Sequence, residues 1–250
     1  MTARMTIGLR AGRVRRARPP MTSRRTERMK VTLDVVLSAM AVIFDLDGVL
    51  VDSRAVVDQT WSEWALRRGL DAELVHRSIP GTRTRDAVLL LAPESDIDAE
   101  AAAIVEREKE LVEHVVPVRG ARSLLEQLPL GRWGIATSGT GPVARGRLAQ
   151  AGMPVPDVFI TAEMVAAGKP DPEVYRRAAS ALGVDPAACV VFEDAPSGIA
   201  AATAAGSTVV GVLTWAPPGL LKTPYAVQDL SDVCATVGES VIRLALRTSA

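Results

Sequence analysis

Four short segments carry residue types that could do chemistry together. Asp45-Leu46-Asp47-Gly48 sets two carboxylates two residues apart, directly after the apolar run Ala41 to Phe44. Where a buried strand gives way to a turn, and Gly48 permits that turn, both can reach one site. One can then be a nucleophile or metal ligand while the other moves protons; the same composition also makes an ordinary solvated loop. Ala136-Thr137-Ser138-Gly139-Thr140 ends another apolar run. Its hydroxyls and backbone N–H groups suit an anionic oxygen, or a helix N-cap. Gly168-Lys169-Pro170-Asp171-Pro172 holds one of only four lysines among 29 basic residues. A compact ammonium fits a crowded acidic site, or else a surface turn. Phe192-Glu193-Asp194-Ala195-Pro196 places adjacent acids after the run Cys189 to Phe192. They suit a hard cation with oxygen ligands, or the start of a helix. Each signal is modest alone, but all four stand at strand ends.

The elements that must position them follow from the hydrophobic pattern. Ala41 to Phe44, Trp133 to Ala136, Val158 to Ile160, Cys189 to Phe192 and Thr208 to Leu213 read as short buried strands. Helical stretches are expected around 121–128, 142–151, 172–182, 197–205 and 233–246, with Pro172 in a first turn and Gly152, Gly183 and Gly206 at helix ends. That alternation predicts an α/β fold, a Rossmann-like parallel sheet covered on both faces with its site outside the carboxyl ends of the strands. From Ser53 to Val116 the rhythm changes to helices alone, around 53–68, 72–77, 84–91 and 99–115. An all-helical piece inserted after the first strand is most simply a lid over the sheet edge.

Composition narrows the class. The chain has 250 residues, 48% hydrophobic, with 29 Lys and Arg against 29 Asp and Glu. It is too apolar for intrinsic disorder. Aromatics are 4%, so Ala, Val and Leu must build most of the core. Two cysteines, Cys189 and Cys234, exclude a disulfide scaffold, and no run of about 18 uncharged apolar residues suggests a membrane span. The neutral total conceals an asymmetry. Residues 1–30 hold nine arginines, Lys30 and one acid, Glu27, giving +9 and leaving −9 for the remainder. A globular part so acidic has no electrostatic reason to bind nucleic acid. The basic stretch could bind nucleic acid or anionic lipid. It could also be a targeting signal, since Ala39-Met40-Ala41 resembles a cleavage site, although Asp34 interrupts the apolar run. The favoured reading is a disordered tail or an upstream start, with the working chain beginning near Met40. The expected organisation is therefore an extension over 1–39, a core over 40–54 and 117–250, and a helical cap over 55–116.

The order DLDGVLVDS, ATSGT, GKPDPEVY and FEDAPSGIAAATAAG resembles the haloacid dehalogenase-like hydrolase superfamily, over about Met40 to Leu213. The helical insert is similar to the cap of the subgroup containing phosphoglycolate phosphatase and β-phosphoglucomutase. The stretches WGIATSGT and FITAEMVAAGKPDPEVY look like those of glycerol-3-phosphatases and 2-deoxyglucose-6-phosphate phosphatases. The resemblance implies Asp45 as a nucleophile forming an aspartyl-phosphate, and Asp47 as the group that protonates the leaving alkoxide and then activates water. It implies Thr137 and Ser138 on the phosphoryl oxygens, and Lys169 neutralising charge around Asp45. It implies Mg²⁺ held by Asp45, the Asp47 carbonyl and Asp194, with Glu193 a ligand directly or through water. The physics agrees: so many negative groups let an anionic nucleophile meet a phosphate ester only beside cations.

Asp47 argues against the dehalogenase branch. A sugar phosphomutase shares all four motifs and stays as an alternative, as does a phosphate-binding module without turnover. In the cap, Gly81, Arg83 and Arg85 of Pro80-Gly81-Thr82-Arg83-Thr84-Arg85 resemble a substrate-specificity loop, or are solvated at a helix start. Trp61 and Trp64, three apart, are expected in the cap core. His76 and His114 have no evident partner, Asp52 is expected to cap the helix after it, and Glu106, Glu108 and Glu110 around Lys109 read as a solvated face. The expectation is a cytoplasmic Mg²⁺-dependent phosphatase, monomer or homodimer, acting on a small phosphorylated polyol or sugar, with neither nucleic acid nor membrane as partner.

Overall fold

Short apolar runs bounded by turn residues become the strands of three sheets in the computed structural model, which describes residues 35–217 and 219–248. The basic stretch itself, residues 1–30, lies outside the described residues. Strand β1 (Val35–Ala39) leads through Met40 into β2 (Ala41–Phe44), and β3 (Val51–Asp52) follows the Asp45–Gly48 turn. Helices α1 (Arg54–Arg68), α2 (Ala72–Ser78), α3 (Thr84–Leu91) and α4 (Ile97–Glu110) form the cap, after which β4 (Val116–Pro117) returns the chain to the core. Then come α5 (Ala121–Glu126), β5 (Trp133–Ala136), α6 (Gly141–Gln150), β6 (Val158–Ile160) and α7 (Glu173–Ala181). The chain continues with β7 (Cys189–Glu193), α8 (Pro196–Ala205), β8 (Thr208–Val212), β9 (Tyr225–Val227), β10 (Val233–Val237) and β11 (Ile242–Leu246).

The main sheet is parallel, in the order β6-β5-β2-β7-β8-β9. Strand β2 lies inside it, and the period of two sends its side chains to opposite faces. Val42 and Phe44 join one core with Trp133, Ile135, Val190 and Phe192, whereas Ala41 and Ile43 join the other with Val191, Tyr175 and Ile199. Phe44 stacks on Phe192 at 5.2 Å between centroids. Burial on both faces explains why these strands are unbroken apolar runs. The carboxyl ends of β2, β5 and β7 therefore come level, and the four motifs hang from that edge or beside it.

The cap has its own core of Trp61, Trp64, Val75, Val88 and Ile104, with the two indoles edge to face at 5.4 Å. It joins the rest of the fold where β3 and β4 pair antiparallel, Val51 facing Pro117 and Asp52 facing Val116. Asp52 Oδ1 accepts the Arg54 N–H at 3.1 Å, supporting the start of α1, and also the Trp215 indole N–H at 3.0 Å.

Two expectations are corrected. The core does not begin at Met40: Val35–Ala39 pairs antiparallel with β11, Val35 facing Leu246, and Ala39 is buried. The stretch 233–246 is not a helix but the strands β10 and β11, paired with each other and turning near Gly238. Its alternation of buried and exposed residues in β11 has the period of a strand, and β1 supplies the pairing that the local sequence does not contain. Among the described residues no helix is long and apolar enough to cross a membrane.

Candidate active site

At the end of β2 the chain turns sharply. Asp45 N–H still bonds to the Phe192 carbonyl at 3.0 Å, and Gly48, at φ +78°, donates to the Val51 carbonyl. A Cβ on Gly48 would overlap the Asp194 carboxylate, so this close approach needs glycine as much as the positive φ does. Asp45 and Asp47 thereby both line one cleft of about 200 Å³, with Thr137, Ser138 and Gly139 on one side and the cap above.

Lys169 reaches into this edge and is buried. Its Nζ donates to Asp45 Oδ1 at 2.6 Å and to Glu193 Oε1 at 2.5 Å, and stands 5.1 Å from the Tyr175 ring centroid. Glu193 is fully buried and held from both ends: Tyr175 Oη donates to Oε1 at 2.8 Å, and the Ala195 N–H to Oε2 at 2.8 Å. A side chain on Gly198, in the first turns of α8, would overlap that carboxylate. The ion pairs set the charge balance. Burial pushes Asp45 up to about 7, against the pull of Lys169, with Glu193 adding to the rise. Burial and Glu193 likewise lift Asp194 well above the carboxylate range. Burial alone would lower the Lys169 ammonium, but Asp45 and Glu193 outweigh it and hold it above its ordinary value. One ammonium among Asp45, Glu193 and Asp194 leaves a surplus of negative charge.

That surplus is what a hard cation answers. Asp45, Glu193 and Asp194 each offer an oxygen, and the three lie within 4.8 Å of one another. Glu193 already bonds Lys169, Tyr175 and a backbone N–H, so its part is chiefly to position Lys169, while Asp45 and Asp194 fit the oxygen set that Mg²⁺ takes.

Asp47 is held differently. Ser53 Oγ donates to its Oδ1 at 2.6 Å, and Arg147 Nη1 pairs with the same oxygen at 2.8 Å. Oδ2 faces the Thr137–Gly139 turn, where a Cβ on Gly139 would stand 3.9 Å away. Thr137 Oγ1 accepts the Gly139 N–H at 3.0 Å, leaving its own proton to donate to an anion in the cleft. The Ser138 hydroxyl donates to the Gly81 carbonyl of the cap at 2.7 Å, while the residue itself lines the cleft. Ser197 Oγ likewise donates to the Pro80 carbonyl at 3.0 Å. Gly81 lines the cleft.

Arg83 is not among the residues that line the cleft. Its guanidinium forks onto Asp86 at 2.6 and 3.0 Å and onto the Val165 and Ala166 carbonyls of the core, so it ties cap to core. Arg85 pairs with exposed Asp98 at 2.7 Å. His76 has partners after all, Ser62 at 2.9 Å and Asp58 at 3.6 Å, and it lines the cleft. Trp61 belongs to the cap core and also reaches the cleft wall.

Sequence reasoning missed the pair Arg147 and Glu108. Arg147 on α6 is only 4% exposed, and its Nη2 lies 3.2 Å from Glu108 Oε2 on cap helix α4. Glu108, read as part of a solvated face, is buried, and that burial raises its carboxyl against the pull of Arg147. The signal was periodicity: Arg147 falls three and four places after buried Ala144 and Val143, and Glu108 four after buried Ile104.

Comparison with known proteins gives the lineage. The model of the haloacid dehalogenase-like hydrolases matches residues 39–206. The chain is 40% identical over 200 residues to hexitol phosphatase A of Escherichia coli, covering 78% of this chain and 93% of that one. It is 37% identical over 196 residues to glycerol-1-phosphate phosphohydrolase 1 of Saccharomyces cerevisiae, covering 73% and 78%. Among solved structures, a hydrolase from Pseudomonas syringae superposes with a TM-score of 0.70 at 26% identity, over 78% of this chain and 95% of that one.

Proposed function

The chain belongs to the haloacid dehalogenase-like hydrolases, and on that premise we propose that it is a Mg²⁺-dependent phosphatase of small phosphorylated polyols or sugars. One observation carries the reading: Asp45, gripped by Lys169, and Asp47, gripped by Ser53 and Arg147, open on the same cleft. An oxygen of Asp45 attacks phosphorus, and the bond from phosphorus to the leaving oxygen breaks. Asp47 gives its proton to that oxygen as the alcohol departs. It then takes a proton from a water molecule, whose oxygen attacks the phosphorus of the aspartyl-phosphate, freeing phosphate and restoring Asp45. Thr137 donates to a phosphoryl oxygen, and Lys169 offsets charge at the attacking carboxylate. Asp45 and Asp194 would hold Mg²⁺, which when bound would supply the further positive charge that lets two anions meet. The substrate class rests on the relatives, which are named for hexitol and glycerol phosphates, and on a cleft wall carrying Arg54, Asp58, His76 and Glu108. Such polar side chains suit hydroxyls.

Phosphate release tests this, with purified protein in Mg²⁺ and in EDTA. The panel is glycerol 3-phosphate, a hexitol 6-phosphate, 2-deoxyglucose 6-phosphate and phosphoglycolate. The expected result is release that EDTA abolishes, with a polyol or sugar ester preferred to phosphoglycolate. Release indifferent to EDTA removes the metal from the proposal, and absence of release from every ester overturns it.

A further inference from the structure

The cleft holds a buried guanidinium whose hydrogen-bonding capacity the protein does not fill. Arg147 spends Nη1 on Asp47 Oδ1 at 2.8 Å. Its Nη2 stands 3.2 Å from Glu108 Oε2 without hydrogen-bond alignment, and both Nε and Nη2 are buried with no hydrogen-bond partner. Leaving such donors unmade is unfavourable, because their water has been removed and nothing replaces it. Arg147 and Glu108 both line the cleft, one from the core helix α6 and one from the cap helix α4.

We propose that Arg147 and Glu108 together read a hydroxyl on the carbon next to the phosphate-bearing carbon of the leaving group. The inference rests on the phosphatase reading above and deepens it. Asp47 supplies the geometry. Its Oδ2 faces the Thr137–Gly139 turn, so the ester oxygen that it protonates lies there. Its Oδ1 is fixed by Ser53 and Arg147, so the next polar atom along the leaving group meets the Arg147–Glu108 pair. A hydroxyl both donates and accepts, and the pair offers one acceptor and open donors. A hydrogen in that position leaves both partners unfilled. A carboxylate or second phosphate only accepts, so it leaves Glu108 without a donor and sets a further acceptor against it. The pair therefore selects against two kinds of competitor by two different penalties. Because its halves sit on different domains, the selection operates only with the cap seated.

The experiment compares glycerol 3-phosphate with 3-hydroxypropyl phosphate, which keeps the chain length and the terminal hydroxyl but lacks the adjacent one. With Mg²⁺ present, wild-type protein is expected to favour glycerol 3-phosphate in kcat/KM by about tenfold to a hundredfold, the range for a hydrogen bond to a charged group. Glu108→Ala is expected to bring that ratio to within about threefold of one, and the isosteric Glu108→Gln, which keeps an acceptor, to retain part of it. Equal kcat/KM for the two esters in wild type overturns the proposal. So does a Glu108→Ala protein that loses activity on both esters in step, since that is what a merely structural role produces. Calorimetric binding of both esters to Asp45→Asn protein separates this from the parent reading. A preference there for glycerol 3-phosphate sustains the hydroxyl assignment even if wild type turns over neither ester, whereas equal affinities overturn it.

Discussion

Asp45 sits where burial and the neighbouring Glu193 oppose its ionisation, and Lys169 only partly compensates. With its carboxyl lifted from 3.8 to about 7, the metal-free folded protein keeps a proton that the unfolded chain has already released over that interval. Stability from this group is therefore present below about pH 4 and is lost as pH rises to about 7. Asp45→Asn removes the penalty while Glu193 still holds Lys169. In EDTA at pH 8 the Asn protein is expected to melt above wild type, by a margin that shrinks towards pH 4. Thermal denaturation across that range checks it, and a margin independent of pH refutes the charge argument. The same variant is expected to lose at least about 10⁴-fold in kcat, as removal of a nucleophile does, with phosphate release as the readout. Asp45, Lys169, Glu193 and Asp194 were legible because each motif follows or adjoins an apolar run, and a parallel sheet brings such ends to one edge. Arg147 and Glu108 were not, because their meaning lies in a pairing between helices α6 and α4 that the local sequence does not contain. Nor was the use of Arg83, since a specificity-loop arginine and a cap-to-core tie have the same local sequence.

The strands of the parallel sheet could be read directly, since burial on both faces leaves only apolar residues in β2, β5 and β7. The small antiparallel sheet could not. Leu244, Ala245 and Leu246 favour helix as readily as strand, and the pairing that decides between them comes from β1, at the far end of the described chain. This makes β1 an element with consequences of its own. It lies on the edge of the sheet order β1-β11-β10, buries Ala39, and packs Val35 and Leu37 against the larger core. A chain started at Met40 loses those three apolar contacts and leaves β11 with an open edge. The expected cost is about 2–4 kcal/mol of unfolding free energy. Urea denaturation of the truncated and full chains checks it, and coincident midpoints would show that β1 contributes nothing.

At the scale of the molecule, several polar contacts fasten the cap. Ser138 and Ser197 hold the Gly81 and Pro80 carbonyls, Arg83 holds Val165 and Ala166, and Arg147 meets Glu108. These ties are polar contacts rather than apolar packing, so they are expected to set how often the cap is seated more than how stably the cores fold. At about 1 kcal/mol for each hydrogen bond, the double change Ser138→Ala with Ser197→Ala is expected to lower kcat/KM by about thirtyfold. The melting temperature is expected to fall by less than about 5 °C. Steady-state kinetics beside a thermal melt reads both, and an unchanged kcat/KM would mean that these two bonds do not govern closure. The pairing of β1 with β11 has a different reach. Val35 faces Leu246 and Ala39 faces Ile242, so an early-made strand of the described chain is completed by the last. At about 5–20 residues per second on the ribosome, Val35–Ala39 waits roughly 10–40 seconds for its partner to be synthesised. Through that wait an apolar segment stands with its hydrogen bonds unspent, and keeping it from other nascent chains is a task for the cell's folding machinery before the fold itself can take over.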